Sequence, residues 1–106
     1  MSGLAGIPIS FVGDVNISNI DAAHTDLGAA LRQGSAVLVD ISGVTEVDLT
    51  FVQLIEAARQ ASNEAGHCFE LRYPAAGAVL EVLQRGGFLD DEGSDRAKFW
   101  LQGPKQ

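Results

Sequence analysis

The fold is decided by residues 36–66, whose sequence is AVLVDISGVTEVDLTFVQLIEAARQASNEAG. The segment opens with Ala36–Ile41, an apolar and β-branched run that predicts a strand buried on both faces of a sheet. Asp48–Ala65 then predicts a helix, because its apolar residues follow the i, i+3, i+4, i+7, i+11 spacing of one helical face. Those residues are Phe51, Leu54, Ile55, Ala58 and Ser62. A buried strand followed by an amphipathic helix favours an α/β fold, with helices on both sides of a mostly parallel sheet.

The flanking segments continue this alternation of strand and helix. Ile7–Val12 and Cys68–Tyr73 alternate in polarity as strands do. Apolar residues at helical spacing predict one helix over Ile20–Leu31 and another around Val79–Leu83, and Ser94 can cap a short last helix. We therefore expect one domain over residues 1–106. Its predicted core consists of Leu38, Val39, Ile41, Leu54, Ile55, Ala58, Phe69, Leu71, Leu80 and Leu83.

The charge balance and the single cysteine exclude several classes of function. Fourteen acidic residues against seven basic ones give a net charge of −7, which disfavours binding to nucleic acids and to anionic lipids. The lone Cys68 excludes an internal disulfide and a multi-cysteine zinc site. Met1–Phe11 has no basic residue and only a short apolar run, so we expect no secretory signal and a cytoplasmic location.

Motifs for catalysis, metals or cofactors are missing from the sequence. His24 and His67 have no partner at metal-ligand spacing, and no glycine pattern typical of a phosphate-binding loop is present. Neither an activated nucleophile nor a matched acid–base pair can be assembled. We therefore expect no metal, no cofactor and no enzymatic activity. An enzyme or small-molecule binder is the third alternative, after the two functions described below.

The start of the predicted Asp48–Ala65 helix carries two polar residues with two interpretations. Asp48 and Thr50 are both good N-terminal helix residues, so capping explains at least one of them. The Thr50 hydroxyl would also lie at the positive end of the helix dipole, where a phosphate is stabilised. Capping and a phosphorylation switch both remain open on the residues alone.

Several motifs, taken in order, resemble the STAS domain of anti-sigma factor antagonists. They are Gly13–Ile17 (GDVNI), Leu38–Val44 (LVDISGV), Glu46–Thr50 (EVDLT), Leu54–Arg59 (LIEAAR) and Phe69–Leu71 (FEL). The resemblance implies a single small STAS-like α/β domain. It also implies a mostly parallel or mixed sheet of four to five strands packed by helices.

The resemblance also implies a site. The family's phosphoacceptor is the second serine of a D-S-S-G motif, and Thr50 occupies that position, with Asp48 retained. Leu49 replaces the first serine and Phe51 replaces the glycine. The implied phosphorylation site is Thr50, and the implied switch motif and partner surface consist of Asp48, Leu49, Phe51, Val52 and Gln53.

Two functions follow from the resemblance. The first is a non-enzymatic bacterial regulatory module in the cytoplasm, switched at Thr50, whose protein partner is an anti-sigma factor or serine/threonine kinase. The alternative is a constitutive accessory subunit docked on the ATPase of a lipid-transport ABC system, without phosphorylation. Phe51 and Val52 favour the alternative, because exposed apolar residues suit permanent contacts. Neither function involves nucleic acid or insertion into a membrane.

Overall fold

The described part of the chain alternates strands with helices, as the sequence predicts. A computed structural model describes residues 7–33, 36–90 and 95–101. The elements are strand β1 (Ile7–Val15), helix α1 (Ile20–Arg32), strand β2 (Val37–Val47), helix α2 (Leu49–Glu64), strand β3 (Phe69–Leu71), helix α3 (Gly77–Arg85) and helix α4 (Asp95–Leu101). The predicted Asp48–Ala65 helix is confirmed, with Asp48 and Ala65 as the flanking residues of α2. Ser94, the predicted cap of the last helix, lies outside the described residues.

The sheet is parallel, which confirms the fold class, but it has fewer strands than expected. Within residues 7–33, 36–90 and 95–101 it has three strands in the order β1-β2-β3, instead of four to five. Beyond β3 the chain enters helices, because Ala97, Trp100 and Leu101 have helical and not alternating spacing. Phe99 of α4 stacks on Phe69 of β3 with ring centroids 5.8 Å apart, so a helix packs beside this strand.

The first two strands run further than predicted and bring two loops together. β1 continues past Val12 to Val15, and β2 continues past Ile41 to Val47. Gly13 has φ of 76°, which glycine adopts without strain. The pairing shifts register on both sides of this region, as a β-bulge does. The extra residues place the β1–α1 turn beside the start of α2.

The two faces of the sheet differ. The inner face, toward the helices, consists of Phe11, Val15, Val37, Val39, Ile41, Phe69 and Leu71, and it forms one core with the buried residues of the helices. The outer face consists of Pro8, Ser10, Val12, Asp14, Leu38, Asp40, Gly43, Glu46 and Glu70, all exposed or half-buried. The prediction that Ala36–Ile41 is buried on both faces, with helices on both sides, was therefore wrong.

The direction of the crossovers explains the single helical layer. Strand–helix–strand connections are right-handed, and the order β1-β2-β3 always advances in one direction, so α1 and α2 lie on the same face. Most of the predicted core is confirmed as buried: Val39, Ile41, Ile55, Ala58, Phe69, Leu71 and Leu83. Leu38 is only half-buried because it lies on the outer face, and Leu54 and Leu80 are half-buried at the margins of their helices.

Helix α4 is held to α2 by a polar cluster around one carboxylate. Glu56 Oε2 accepts a 2.6 Å hydrogen bond from Nε1 of Trp100, which is fully buried. The same carboxylate pairs with Arg96 at 3.4 Å and Arg59 at 3.5 Å. The carbonyl of Trp100 accepts the N–H of Ala75 at 2.8 Å. A buried aromatic ring with a charged hydrogen-bond partner fixes α4 to the domain.

Candidate functional site

The start of α2 is joined to the β1–α1 turn by the side chain of Asp48. Asp48 Oδ1 accepts the N–H of Thr50 at 3.0 Å, which is an N-terminal cap. Asp48 Oδ2 accepts the N–H of Ile17 at 3.0 Å, from the turn that follows β1. One carboxylate thus caps the helix and fixes the neighbouring turn. The capping interpretation is confirmed for Asp48.

The turn itself is held by its own side chains. Asn19 Oδ1 accepts the N–H of Asn16, and Asn16 Oδ1 accepts the N–H of Ser18, both at 2.9 Å. Asn19 Nδ2 donates to the carbonyl of Asp14 at 2.9 Å, and Asp14 Oδ1 accepts the hydroxyl of Thr45 at 3.0 Å. Asn and Asp side chains favour such local bonds over helix or sheet pairing. The turn presents its exposed side chains from a fixed backbone, which reduces the entropy cost of binding.

Thr50 is half-buried in the first turn of α2. Its N–H is taken by Asp48, and its hydroxyl has no hydrogen-bond partner among the described residues. The hydroxyl lies at the positive end of the helix dipole, where a phosphate is favoured by about 0.3–2 kcal/mol. Phosphorylation at Thr50 remains a prediction.

Two residues of the predicted partner surface are in the core. Phe51 and Val52 are fully buried, and the ring of Phe51 meets that of Phe11 edge to face with centroids 5.3 Å apart. Val52 is three positions before the buried Ile55, so it shares the inward side of α2. Neither side chain can contact a partner, and their predicted place in the surface was wrong.

Ile17, which the predicted partner surface did not include, is an exposed apolar residue beside the start of α2. Ile17 is 71% exposed and Leu49 is 43% exposed, and both flank the Asp48 carboxylate, which bonds the Ile17 N–H. Gln53 is exposed one turn further along α2. Ile17 was missed as a site residue, although an apolar residue between Asn16 and Ser18 was the available signal. We call Ile17, Asp48, Leu49, Thr50 and Gln53 the helix-start surface.

The surroundings of the helix-start surface are acidic. Asp14, Asp21 and Glu46 are exposed on the adjoining strands and helix, and the first basic residue in the sequence is Arg32. A phosphate on Thr50 would add about −1.5 to −2 charges to this region. Phosphorylation would therefore make an already acidic region more acidic.

Chemistry other than binding finds no support among the described residues. Within residues 7–33, 36–90 and 95–101, no three His, Cys, Asp or Glu side chains are grouped as metal ligands. In the same ranges, no helix has the length and apolar character needed to cross a membrane. Cys68 is exposed and forms no disulfide with a described residue.

Comparison with known proteins assigns the family. No curated protein matches the sequence. A solved structure titled "Crystal Structure Analysis of Mglu" has a TM-score of 0.56 and 20% identity to this chain, over 66% of this chain and 18% of that one. This chain therefore spans less than a fifth of that protein, and the likeness concerns the fold alone. Residues 5–90 match the family described as "Mlab, STAS domain", whose members serve in general as regulatory protein-interaction modules. The chain belongs to the STAS domain family.

Proposed function

We propose that this protein is a non-enzymatic regulatory module of the bacterial cytoplasm that binds one protein partner through the helix-start surface. The observation that carries the proposal is an exposed apolar pair, Ile17 and Leu49, on a backbone fixed by Asp48. Exposed apolar side chains on a rigid scaffold bury area on binding without much loss of conformational entropy. The partner class is an anti-sigma factor or serine/threonine kinase, as in the STAS proteins that the sequence resembles.

Regulation of this contact would act through Thr50. Thr50 is half-buried one position after Leu49, and its hydroxyl makes no hydrogen bond with a described residue. A phosphate there is compatible with the folded domain, because the N-terminal end of a helix favours negative charge. A partner packed on Ile17 and Leu49 would bury that charge without a counter-ion, which is strongly unfavourable.

A second candidate is a constitutive accessory subunit on the ATPase of a lipid-transport ABC system. Its support no longer comes from Phe51 and Val52, since both are buried. It comes from Leu49, an exposed apolar residue where the phosphorylated members of the family carry serine. A permanent contact needs apolar area and no phosphate. This candidate therefore uses the same helix-start surface as the first one and differs only in lacking phosphorylation at Thr50.

The test starts from the partner, captured from the source cell, identified by mass spectrometry and purified. Calorimetric titration should show that Ile17→Asp and Leu49→Asp each raise the Kd at least about tenfold, a loss of 1.4 kcal/mol. Val12→Asp is the matched control, because Val12 is equally exposed at 73% but lies on the outer face of the sheet. If the two helix-start variants bind like the unchanged chain, the proposed surface is incorrect.

The phosphorylation state of Thr50 distinguishes the two candidate functions. A regulated module should carry phosphate on Thr50 in the chain purified from its source, and Thr50→Glu should weaken binding while Thr50→Ala preserves it. A constitutive subunit should carry no phosphate on Thr50. The identity of the captured partner distinguishes the two functions independently, because the first predicts a kinase-like protein and the second a transporter ATPase.

A further inference from the structure

The outer face of the sheet is open, which is unusual for parallel strands. Parallel sheets are normally covered on both faces, because their crossover helices lie on both sides. Here the helices pack on the inner face, and no described residue packs over the outer one. Val12, on the edge strand β1 of this face, has the largest exposed fraction of the large apolar side chains described, 73%.

The side chains of this face form rows across the strands. Strand pairing places Pro8 beside Leu38 and Leu38 beside Glu70. Val12 lies beside Gly43, and a Cβ added at Gly43 would be 2.7 Å from Val12 Cγ1. The glycine leaves a shallow hollow that the valine overlies. Apolar atoms of Pro8 and Val12 therefore run along the edge strand β1, with Leu38 beside Pro8 on the central strand β2.

Acidic groups surround this apolar strip. The next row pairs Asp14 with Glu46, so two like charges are directly opposite each other, an arrangement that costs stability when it is unrelieved. Asp40 and Glu70 supply two further carboxylates. None of these four carboxylates forms a salt bridge with a described residue. Both salt bridges among the described residues involve Glu56, which lies on α2.

One guanidinium offsets part of this charge, because Arg72 interacts electrostatically with Asp40. Arg72, directly after β3, donates to the Tyr73 hydroxyl at 3.4 Å and lies over that ring at 5.7 Å. Four carboxylates against one engaged guanidinium leave the face negative, so its charge is complementary to a basic partner.

The dimensions fit one α-helix. β3 pairs with β2 only at Val37–Val39, so the sheet is three strands and about 10 Å wide at that end, close to the diameter of a helix with its side chains, and two strands wide beyond it. Pro8–Asp14 extends about 20 Å along β1, which a helix of about 13 residues matches. Helices are also what covers open sheet faces in α/β proteins.

We propose that the outer face of the sheet is a docking surface for a basic amphipathic helix of another protein. Its apolar stripe covers Pro8, Val12 and Leu38, and its lysine or arginine side chains lie against Asp14, Glu46 and Glu70. This contact uses different apolar residues from the helix-start surface, although Asp14 and Glu46 adjoin both, and it does not depend on the function proposed for that surface.

The test uses a synthetic helical peptide of about 14 residues, one face leucine and the others lysine, titrated into the isotope-labelled chain and followed by NMR. Saturable shifts should be concentrated at Val12, Leu38 and Gly43. They should weaken as salt is raised, because exposed charges are screened within about 10 Å at 0.1 M. A peptide with glutamate in place of lysine should not bind.

Two variants localise the contact. Val12→Asp and Glu70→Lys should each raise the peptide Kd at least about tenfold, equivalent to 1.4 kcal/mol. Leu49→Asp, an equivalent change on the helix-start surface, should leave it unchanged. Both test positions are exposed, and circular dichroism before titration verifies that the variants fold.

Three results of the titrations would overturn the proposal. They are an absence of saturable binding, shifts centred on Ile17 and Leu49, and equal affinity of Val12→Asp and the unchanged chain. Self-association through the outer face, seen as a dimer in sedimentation and abolished by Val12→Asp, would assign the face to a second copy of this chain and also overturn it.

Discussion

Replacing Asp48 by alanine removes both acceptors that join α2 to the β1–α1 turn. The Thr50 N–H loses its cap, which typically costs about 0.5–2 kcal/mol. The Ile17 N–H loses a hydrogen bond with a net contribution of about 0.5–1.5 kcal/mol. Together we expect a loss of about 2 kcal/mol in the free energy of unfolding, which lowers the Tm of a domain of this size by roughly 8–10 °C.

Urea unfolding followed by fluorescence measures this loss, because Trp100 is the single tryptophan and is fully buried. Asp48→Asn keeps one carbonyl oxygen as an acceptor, so it should lose about half as much. The control is Asp26→Ala, an exposed acidic position on α1, which should stay within about 0.5 kcal/mol of the unchanged chain. If Asp48→Ala is no more destabilising than Asp26→Ala, the two hydrogen bonds do not organise the site.

Three further outcomes are expected. Trp100→Phe removes the hydrogen bond to Glu56 and should cost about 2–3 kcal/mol by thermal circular dichroism, since hydrogen bonds to charged groups contribute about 1.5–3 kcal/mol; an unchanged Tm would show that α4 is not fixed by this contact. Thr50→Glu should shift the free energy of unfolding by less than about 1 kcal/mol, because the helix dipole favours the new charge and Asp48 opposes it, and global unfolding would reveal a structural role instead. Hydrogen bonds from the Ser42 hydroxyl and N–H hold the pKa of Asp40 below its ordinary value. Its contribution to stability is therefore present above the unfolded-state pKa and lost as pH falls through the folded-state pKa. Urea unfolding at pH 6 and pH 3 should show a smaller loss of stability in acid for Asp40→Asn than for the unchanged chain.

Periodicity predicted the elements well where one face of a segment is buried. The helix stripe of Phe51, Ile55 and Ala58 placed α2 within one residue of its observed ends. The apolar run at Ala36–Ile41 correctly indicated a parallel strand. It did not reveal that the sheet is covered on one face only, because Leu38 is as apolar as its buried neighbour Val39.

The site was harder to predict than the fold. Asp48 and Thr50 are recognisable because capping and hydroxyl chemistry are local properties of the sequence. The burial of Val52 depends on how α2 packs in the folded domain. Ile17 joins the site only through its hydrogen bond to Asp48, which is 31 positions away in the sequence. Contacts of that separation are set by tertiary packing, which spacing along one segment does not report.

The central claim is that a protein partner binds on the helix-start surface, and methyl cross-saturation NMR of the purified complex tests it most directly. With the methyl groups of this chain labelled and the partner irradiated, saturation should reach Ile17 and Leu49 and spare the buried Val39. Saturation confined to Val12 and Leu38, with Ile17 and Leu49 unaffected, would place the partner on the outer face and contradict the claim.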